Sequence, residues 1–532
     1  MFDYVIVGAG SAGCILANKL SENPSNQVCL LESGPEDSSP LIRIPMGVAS
    51  LMKSKKYNWL FESTASPYQN NRQIFCPRGK GIGGSSSVNA MLYVRGNAWD
   101  YDYWAELGND GWSYNEVLPY FKAYENQERG EDKYHGVGGG LNVADGRSNH
   151  PFAKIFIDAA QQAGHIINYD FNGEKQDGVG FFQATQKNGE RCSSANAFLH
   201  PIRQRPNLTV ITGAHATHIL LEGNIATGVE YLSNKKTFRV IAKKEVILSG
   251  GAFNSPQLLL LSGIGPVDEL NRHKIPVKHE LEGVGQNLQE HVDIHIVTKT
   301  YGPPAVSIRP KGLLQQSKEL IRYIRERKGQ MTSCVTESGG FIKSTPHQSV
   351  PDLQLQFIAG AVDDHGRNIR MLLKYGYTTM VSLLRPKSRG SITLKSNNPL
   401  DNPEIQLNLL AEQEDVDSLL AGIKLARDVL AQPAFDPLRR EEILPGNHVQ
   451  SNDALVKYLR EKSEHNYHPV GTCKMGNDEM SVVNSRLKVH GINNLRVADA
   501  SIMPSLIGGN TNAPTIMIGA KAADLILEDN PT

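Results

Sequence analysis

Tyr4-Val5-Ile6-Val7-Gly8-Ala9-Gly10-Ser11-Ala12-Gly13 is a short apolar, β-branched run that breaks into three glycines, and Ile15, Leu16 and Leu20 follow it at helical spacing. Val28-Cys29-Leu30-Leu31 then reads as a second buried strand, closed by Glu32. Strand, G-x-G-x-x-G, helix, strand and acidic residue together make the dinucleotide-binding βαβ unit. Its glycines form a tight turn and let a pyrophosphate sit on the amides of the helix N-terminus. Glu32 is placed to accept hydrogen bonds from a ribose diol. A lone glycine motif fits an ordinary turn equally well; the flanking strands and the acid at this distance make it a nucleotide site. FAD and NAD are not separated by this unit.

Outward from it, the 49 glycines of the 532-residue chain gather into further groups. One is Arg78-Gly79-Lys80-Gly81-Ile82-Gly83-Gly84-Ser85-Ser86-Ser87-Val88-Asn89-Ala90-Met91, which ends in an apolar segment that a flexible linker would lack. Another, Ser249-Gly250-Gly251, is entered from the strand Glu245-Val246-Ile247-Leu248 and left through helical Gln257 to Leu261. A last group runs from Leu495-Arg496-Val497-Ala498-Asp499-Ala500 to Gly508-Gly509-Asn510-Thr511-Asn512 and precedes a helix from Ile516 to Leu527. Each pairs a strand or glycine loop with a helix start, so one nucleotide domain assembled from discontinuous segments is expected. The intervening chain must form a second unit. Leu353-Gln354-Leu355-Gln356-Phe357 and Gly390 to Lys395 read as half-buried antiparallel strands, and 413–431 and 452–463 as amphipathic helices.

Composition sets the bounds. Lys+Arg and Asp+Glu are equal at 55 each, so no net basic field favours nucleic acid. The length allows several domains of ~100–200 residues. The six cysteines are scattered, as isolated thiols of a reducing compartment are, and no metal site is expected. No basic, apolar leader opens the chain, and its apolar runs, such as Leu258 to Leu261, fall far short of a membrane span. A cytoplasmic-side protein is expected. One stretch departs from neutrality: between Ile308 and Lys328 seven basic residues stand against two acidic ones, with Leu313, Leu320, Ile321 and Ile324 at helical spacing. Such a helix either packs its apolar side on the body or lies on an anionic membrane surface.

The glycine groups, in this order, resemble the glucose-methanol-choline (GMC) oxidoreductase family, with Gly79 to Gly96 and Gly251 to Gly265 matching its two signatures. Within the family the resemblance is greatest to bacterial membrane-associated alcohol dehydrogenases acting on medium-chain alkanols, with choline dehydrogenases close by. It implies an α/β fold: a Rossmann-like FAD-binding domain interleaved with an α+β substrate domain on an antiparallel sheet. The implied boundaries are 1–296 for the FAD-binding part, with substrate-domain insertions at about 150–190, then 297–483 mainly for the substrate domain. Residues 484–532 return to the FAD-binding domain, and the C-terminal homology spans about 386–525. The implied cofactor contacts are Gly8, Gly10, Ser11, Ala12, Gly13 and Glu32 for pyrophosphate and ribose. Gly83, Gly84, Ser85, Asn89, Ala90 and Met91 would lie against the flavin, Ala216 against adenine, and Asp499 and Ala500 toward the ribityl and phosphate end, with Asn510 and Thr511 completing the set. Some members attach FAD through a histidine where this chain has Val88, so the FAD is expected to be non-covalent.

Oxidising an alcohol needs a base for the hydroxyl proton and an acceptor for the hydride. Of sixteen histidines, His468 stands in Asn466-Tyr467-His468-Pro469-Val470-Gly471-Thr472, which resembles the family's catalytic segment. Asn510 matches the second polar position and would donate to the substrate oxygen. Asn512 reads as a turn residue. Glu337 reads equally as a carboxylate bordering the cavity or as a structural hydrogen-bonding group. The implied reaction is oxidation of a primary alcohol to the aldehyde, with ubiquinone as acceptor and peripheral contact with an anionic membrane through about 308–328. Choline as substrate, or O₂ as acceptor, is the alternative.

Overall fold

β1 (Phe2–Val7), α1 (Ser11–Leu20) and β2 (Val28–Glu32) form as the spacing predicts in the computed structural model, which describes residues 1–302 and 305–531. Gly8 takes a left-handed φ of +102°, and a side chain on Gly13 would collide with the Gly8 carbonyl. The chain then alternates between two large sheets. α2 (Pro151–Gln162) and β3 (Gly178–Phe181) belong with the second sheet. β4 (Leu208–Thr212), β5 (His215–Glu222), β6 (Ile225–Ser233) and β7 (Lys236–Leu248) return to the first. α3 (Gly251–Leu261) leads on to β8 (Val292–Lys299), α4 (Pro310–Glu326), β9 (Thr336–Ile342), β10 (Leu353–Ile358) and β11 (Gly376–Leu383). α5 (Gln413–Ala431), β12 (Glu442–Leu444), α6 (Asn452–Lys462) and β13 (Glu464–His465) complete that half. β14 (Leu495–Val497) and α7 (Asn512–Asp529) go back to the first.

The first sheet runs β4-β2-β1-β7 in parallel, with β14 parallel to the end of β7. β7 outgrows that pairing and its first half joins β6 and β5 in an antiparallel meander. α1 and α7 cover one face and approach closely: a methyl group on Gly519 would lie 2.8 Å from the Ala12 carbonyl oxygen. The second sheet, β12-β8-β11-β10-β9-β3, is antiparallel throughout, with β13 on β8. α5 lies across it, and at Gly422 a methyl group would come within 2.6 Å of Val381.

Several local expectations are corrected. β10 is buried along its whole length rather than half-buried. Leu353 and Leu355 join the core beneath α5, while the polar face, Gln354 and Gln356, turns inward to the cavity region. The 390–395 strand shortens to Ser391–Thr393 and pairs with Glu404–Gln406 outside the large sheet. α3 begins at Gly251, six positions early, because Asp499 accepts hydrogen bonds from the Gly251 amide (2.8 Å) and the Ser255 hydroxyl (2.6 Å) at its start. α7 begins at Asn512, since Pro514 is tolerated in a first turn, so Asn512 is helical rather than a turn residue.

The basic helix α4 does not pack its apolar side. Gly312 and Tyr323 are its buried residues, whereas Leu313, Leu314, Leu320, Ile321 and Ile324 are exposed, Ile324 to 65%. No helix among the described residues is long and apolar enough to cross a membrane.

Candidate active site

A cavity of about 640 Å³ lies between the two sheets. At one end its wall is backbone. Gly8, Gly10, Ser11 and Ala12 line it where α1 begins, and no side chain caps that helix end. The start of α7 is likewise uncapped and brings Asn510, Thr511 and Asn512 to the wall, with the Ser11 hydroxyl donating to Asn512 Oδ1 at 2.7 Å. α3 starts there too. The two uncapped helix N-termini, those of α1 and α7, give the cavity a field suited to a diphosphate, whereas the start of α3 is already met by the Asp499 carboxylate. The uncapped amides and the side-chain-free glycine wall fit FAD.

Most sequence-predicted cofactor residues lie on this wall: Gly84, Ser85, Asn89, Ala90 and Met91 from the second glycine run, then Ala216, Asp499 and Ala500. Gly13 and Gly83 are not among the residues that line it. Gly13 is where helix and turn touch, and Gly83 donates from its amide to the Ala9 carbonyl at 2.7 Å, docking the second run on the first. Glu32 lines the cavity, but its oxygens accept from the amides of Ala9 (2.9 Å), Gly34 (2.7 Å) and Gly81 (3.0 Å), so it also ties three loops together. Burial raises its pKa against the pull of those amides. Val88 lines the cavity and offers no atom for a covalent link.

The other end is built from side chains. His468 Nε2 lies 3.1 Å from Asn510 Nδ2, and Gln354 Nε2 donates to Asn510 Oδ1 at 3.3 Å. On its far side His468 meets His291, Nδ1 to Nδ1, at 2.9 Å, with the rings nearly perpendicular. Glu290 Oε1 accepts from the His468 amide at 2.6 Å, and Glu290 Oε2 pairs with His465 Nδ1 at 2.9 Å. Burial first, then the neighbouring His291, Arg78 and His465, hold His468 well below the ordinary histidine pKa, so it is neutral and can accept a proton. Arg78 donates to the Tyr467 carbonyl at 2.7 Å and fixes the residue before His468.

Three cavity-lining residues take left-handed conformations that bulky side chains avoid: Met91 (φ +66°), Val335 (+72°) and Tyr467 (+66°). Around them Leu92, Val306, Ile308, Phe357, Ile358 and Met380 make an apolar wall. Glu337 is also on the wall, its oxygens accepting from the His150 amide (3.0 Å) and the Ser333 hydroxyl (2.7 Å). Among the described residues no group of three or more histidine, cysteine or acidic side chains could hold a metal ion.

Sequence reasoning missed His291, Glu290, Gln354 and Gln356. The available signal was chemical: the polar positions of β10 are neutral amides rather than lysine or glutamate, which suits burial better than solvent.

The N-terminal and C-terminal GMC oxidoreductase family models match residues 2–293 and 386–519. An alcohol dehydrogenase [acceptor] of Pseudomonas putida is 48% identical over 99% of this chain and 96% of its own length. The mitochondrial choline dehydrogenase of Homo sapiens is 43% identical over 99% of this chain and 89% of its own. Among solved structures, pyridoxine 4-oxidase from Mesorbium loti superposes with a TM-score of 0.90 at 28% identity, covering 98% of this chain and 99% of that one.

Proposed function

Because the chain belongs to the GMC oxidoreductase family and is an FAD-dependent oxidoreductase acting on CH–OH donors, we propose that it oxidises primary aliphatic alkanols of medium chain length to aldehydes. The observation that carries this is the pairing of a neutral buried base, His468, and Asn510 with an apolar wall. FAD, held without a covalent bond, supplies the hydride acceptor when bound. His468 Nε2 takes the hydroxyl proton. The Asn510 amide turns its donor to the substrate oxygen as negative charge develops there, and Gln354 keeps that amide oriented. The aliphatic wall accepts the alkyl chain and excludes water from the reacting carbon. Anaerobic flavin bleaching by alkanols of graded length tests the reading. A rate that rises with chain length supports it, and bleaching by choline alone replaces it with the second reading, which rests on Glu337 as a carboxylate for a quaternary ammonium.

The acceptor we propose is ubiquinone, reached by peripheral contact of α4 with an anionic membrane on the cytoplasmic side. The exposed aliphatic residues of α4, flanked by Lys311, Lys318, Arg322 and Arg325, suit insertion into a headgroup layer. Ile308 and Gln316, from the same segment, line the cavity. Reoxidation of the bleached enzyme by ubiquinone faster than by O₂, with co-sedimentation on anionic but not neutral vesicles, supports this part. Equal reoxidation rates and no vesicle binding remove it.

A further inference from the structure

His291 is fully buried and does not reach the cavity wall, yet its two ring nitrogens are committed in a way that reaches His468. Its Nε2 lies 3.1 Å from both the Leu384 and the Ile507 carbonyl oxygens. Carbonyl oxygens only accept, so Nε2 carries a hydrogen, and in the neutral ring Nδ1 is bare. That bare nitrogen faces His468 Nδ1 at 2.9 Å. The hydrogen between them therefore belongs to His468 Nδ1, and His468 Nε2 is left as a lone pair on the side of Asn510. The amide chain on that side runs in the matching sense: Gln356 Nε2 donates to Gln354 Oε1 (3.1 Å), Gln354 Nε2 to Asn510 Oδ1 (3.3 Å), and Asn510 Nδ2 to His468 Nε2 (3.1 Å).

We propose that His291 is the positioning residue that holds His468 in its Nδ1–H form, so that the Nε2 facing Asn510 and the cavity is always the proton acceptor. The proposal rests on His468 being the base. When the alcohol gives up its hydroxyl proton, the O–H pair stays on oxygen and the proton goes to Nε2. His468 becomes doubly protonated, and the Nδ1–H bond to His291 is unchanged; His291 gains and loses nothing. A charged His291 would set two N–H groups against each other, and burial, which brings its pKa down to about 4, prevents that. The charged groups bearing on the pair are Glu290 and Arg385 for His291, and Arg78 and His465 for His468.

The test is nitrogen NMR of the holoenzyme labelled in histidine, with the His468 resonances identified by their loss in His468→Ala. The expected spectrum has His468 protonated at Nδ1 and bare at Nε2; a hydrogen on Nε2 overturns the proposal outright, without any variant of His291. In His291→Leu the Nε2–H form should appear, and anaerobic flavin bleaching should slow by roughly 10²–10⁴-fold, the range a misplaced acid–base group costs, with alcohol affinity unchanged. His291→Asn, whose side-chain oxygen accepts in place of Nδ1, should recover most of the rate and the Nδ1–H spectrum. An unchanged spectrum and rate in His291→Leu also overturns the proposal. If His468→Ala bleaches at the wild-type rate while the wild-type spectrum is as expected, the base assignment falls and the tautomer assignment stands.

Discussion

The two ends of the cavity are made from different parts of the polypeptide. At the nucleotide end the wall is main chain: glycines, uncapped amides and three helix starts. At the substrate end it is side chain: an imidazole, amides and aliphatic groups delivered by the segment after β13, by β10 and by the loop before α7. A main-chain site is written in spacing, because glycines can be replaced only where a Cβ has room. A side-chain site depends on which strands become neighbours, and it tolerates changes of residue that keep donors and acceptors in place.

Substitutions at the two ends should therefore fail in different ways. His468→Ala should slow anaerobic flavin bleaching by about 10²–10⁴-fold while the purified protein keeps its full flavin absorbance; loss of flavin together with activity would erase the distinction. Gly13→Ala should do the reverse. Its methyl group collides with the Gly8 carbonyl, so the protein should lose most of its flavin and ~1–3 kcal/mol of stability, measured by absorbance per protein and by denaturant unfolding. Gln354→Leu should leave flavin content alone and cost ~1 kcal/mol in kcat/KM, roughly fivefold, through an Asn510 amide that is no longer oriented.

A further contrast sets two buried histidines against each other by pH. Burial alone would lower the pKa of His135, but its bonds to Asp170 and Glu125 outweigh that and raise it to about 9. Its stabilisation is complete below an unfolded pKa of about 6.5 and fades as pH rises toward 9. His291, lowered to about 4, has the opposite sign: the unfolded chain binds the extra proton, so its contribution is complete above about 6.5 and is lost as pH falls toward 4. The stability difference between wild type and His135→Asn should shrink between pH 6 and pH 10. A constant difference would show that His135 is not charged in the folded state.

The same contrast explains what could be read in the sequence. Gly8, Gly10, Gly13 and Glu32 announce the βαβ unit because backbone geometry admits few alternatives. Residues 413–431 form the expected helix because their apolar period matches one face. The burial of β10 has a related cause: alternation reports two unlike faces but not whether the polar one meets water or a cavity. His291 was invisible because its role depends on Leu384 and Ile507, which lie far away in the chain. His468 and Asn510 stood out through motif resemblance, and folding brings them to 3.1 Å.

The contact between α1 and α7 joins residues as far apart as Ser11 and Asn512, 501 positions along the chain. At ribosomal speeds of about 5–20 residues per second, the first strand–helix–strand unit leaves the ribosome roughly 25–100 s before the helix that covers it. Throughout that interval the apolar side of α1 and the growing edge of the parallel sheet lack their final partners. Completion of the cofactor wall must therefore wait for the last segment to be made, and the nascent chain exposes this apolar surface for longer than one whose nucleotide domain is contiguous.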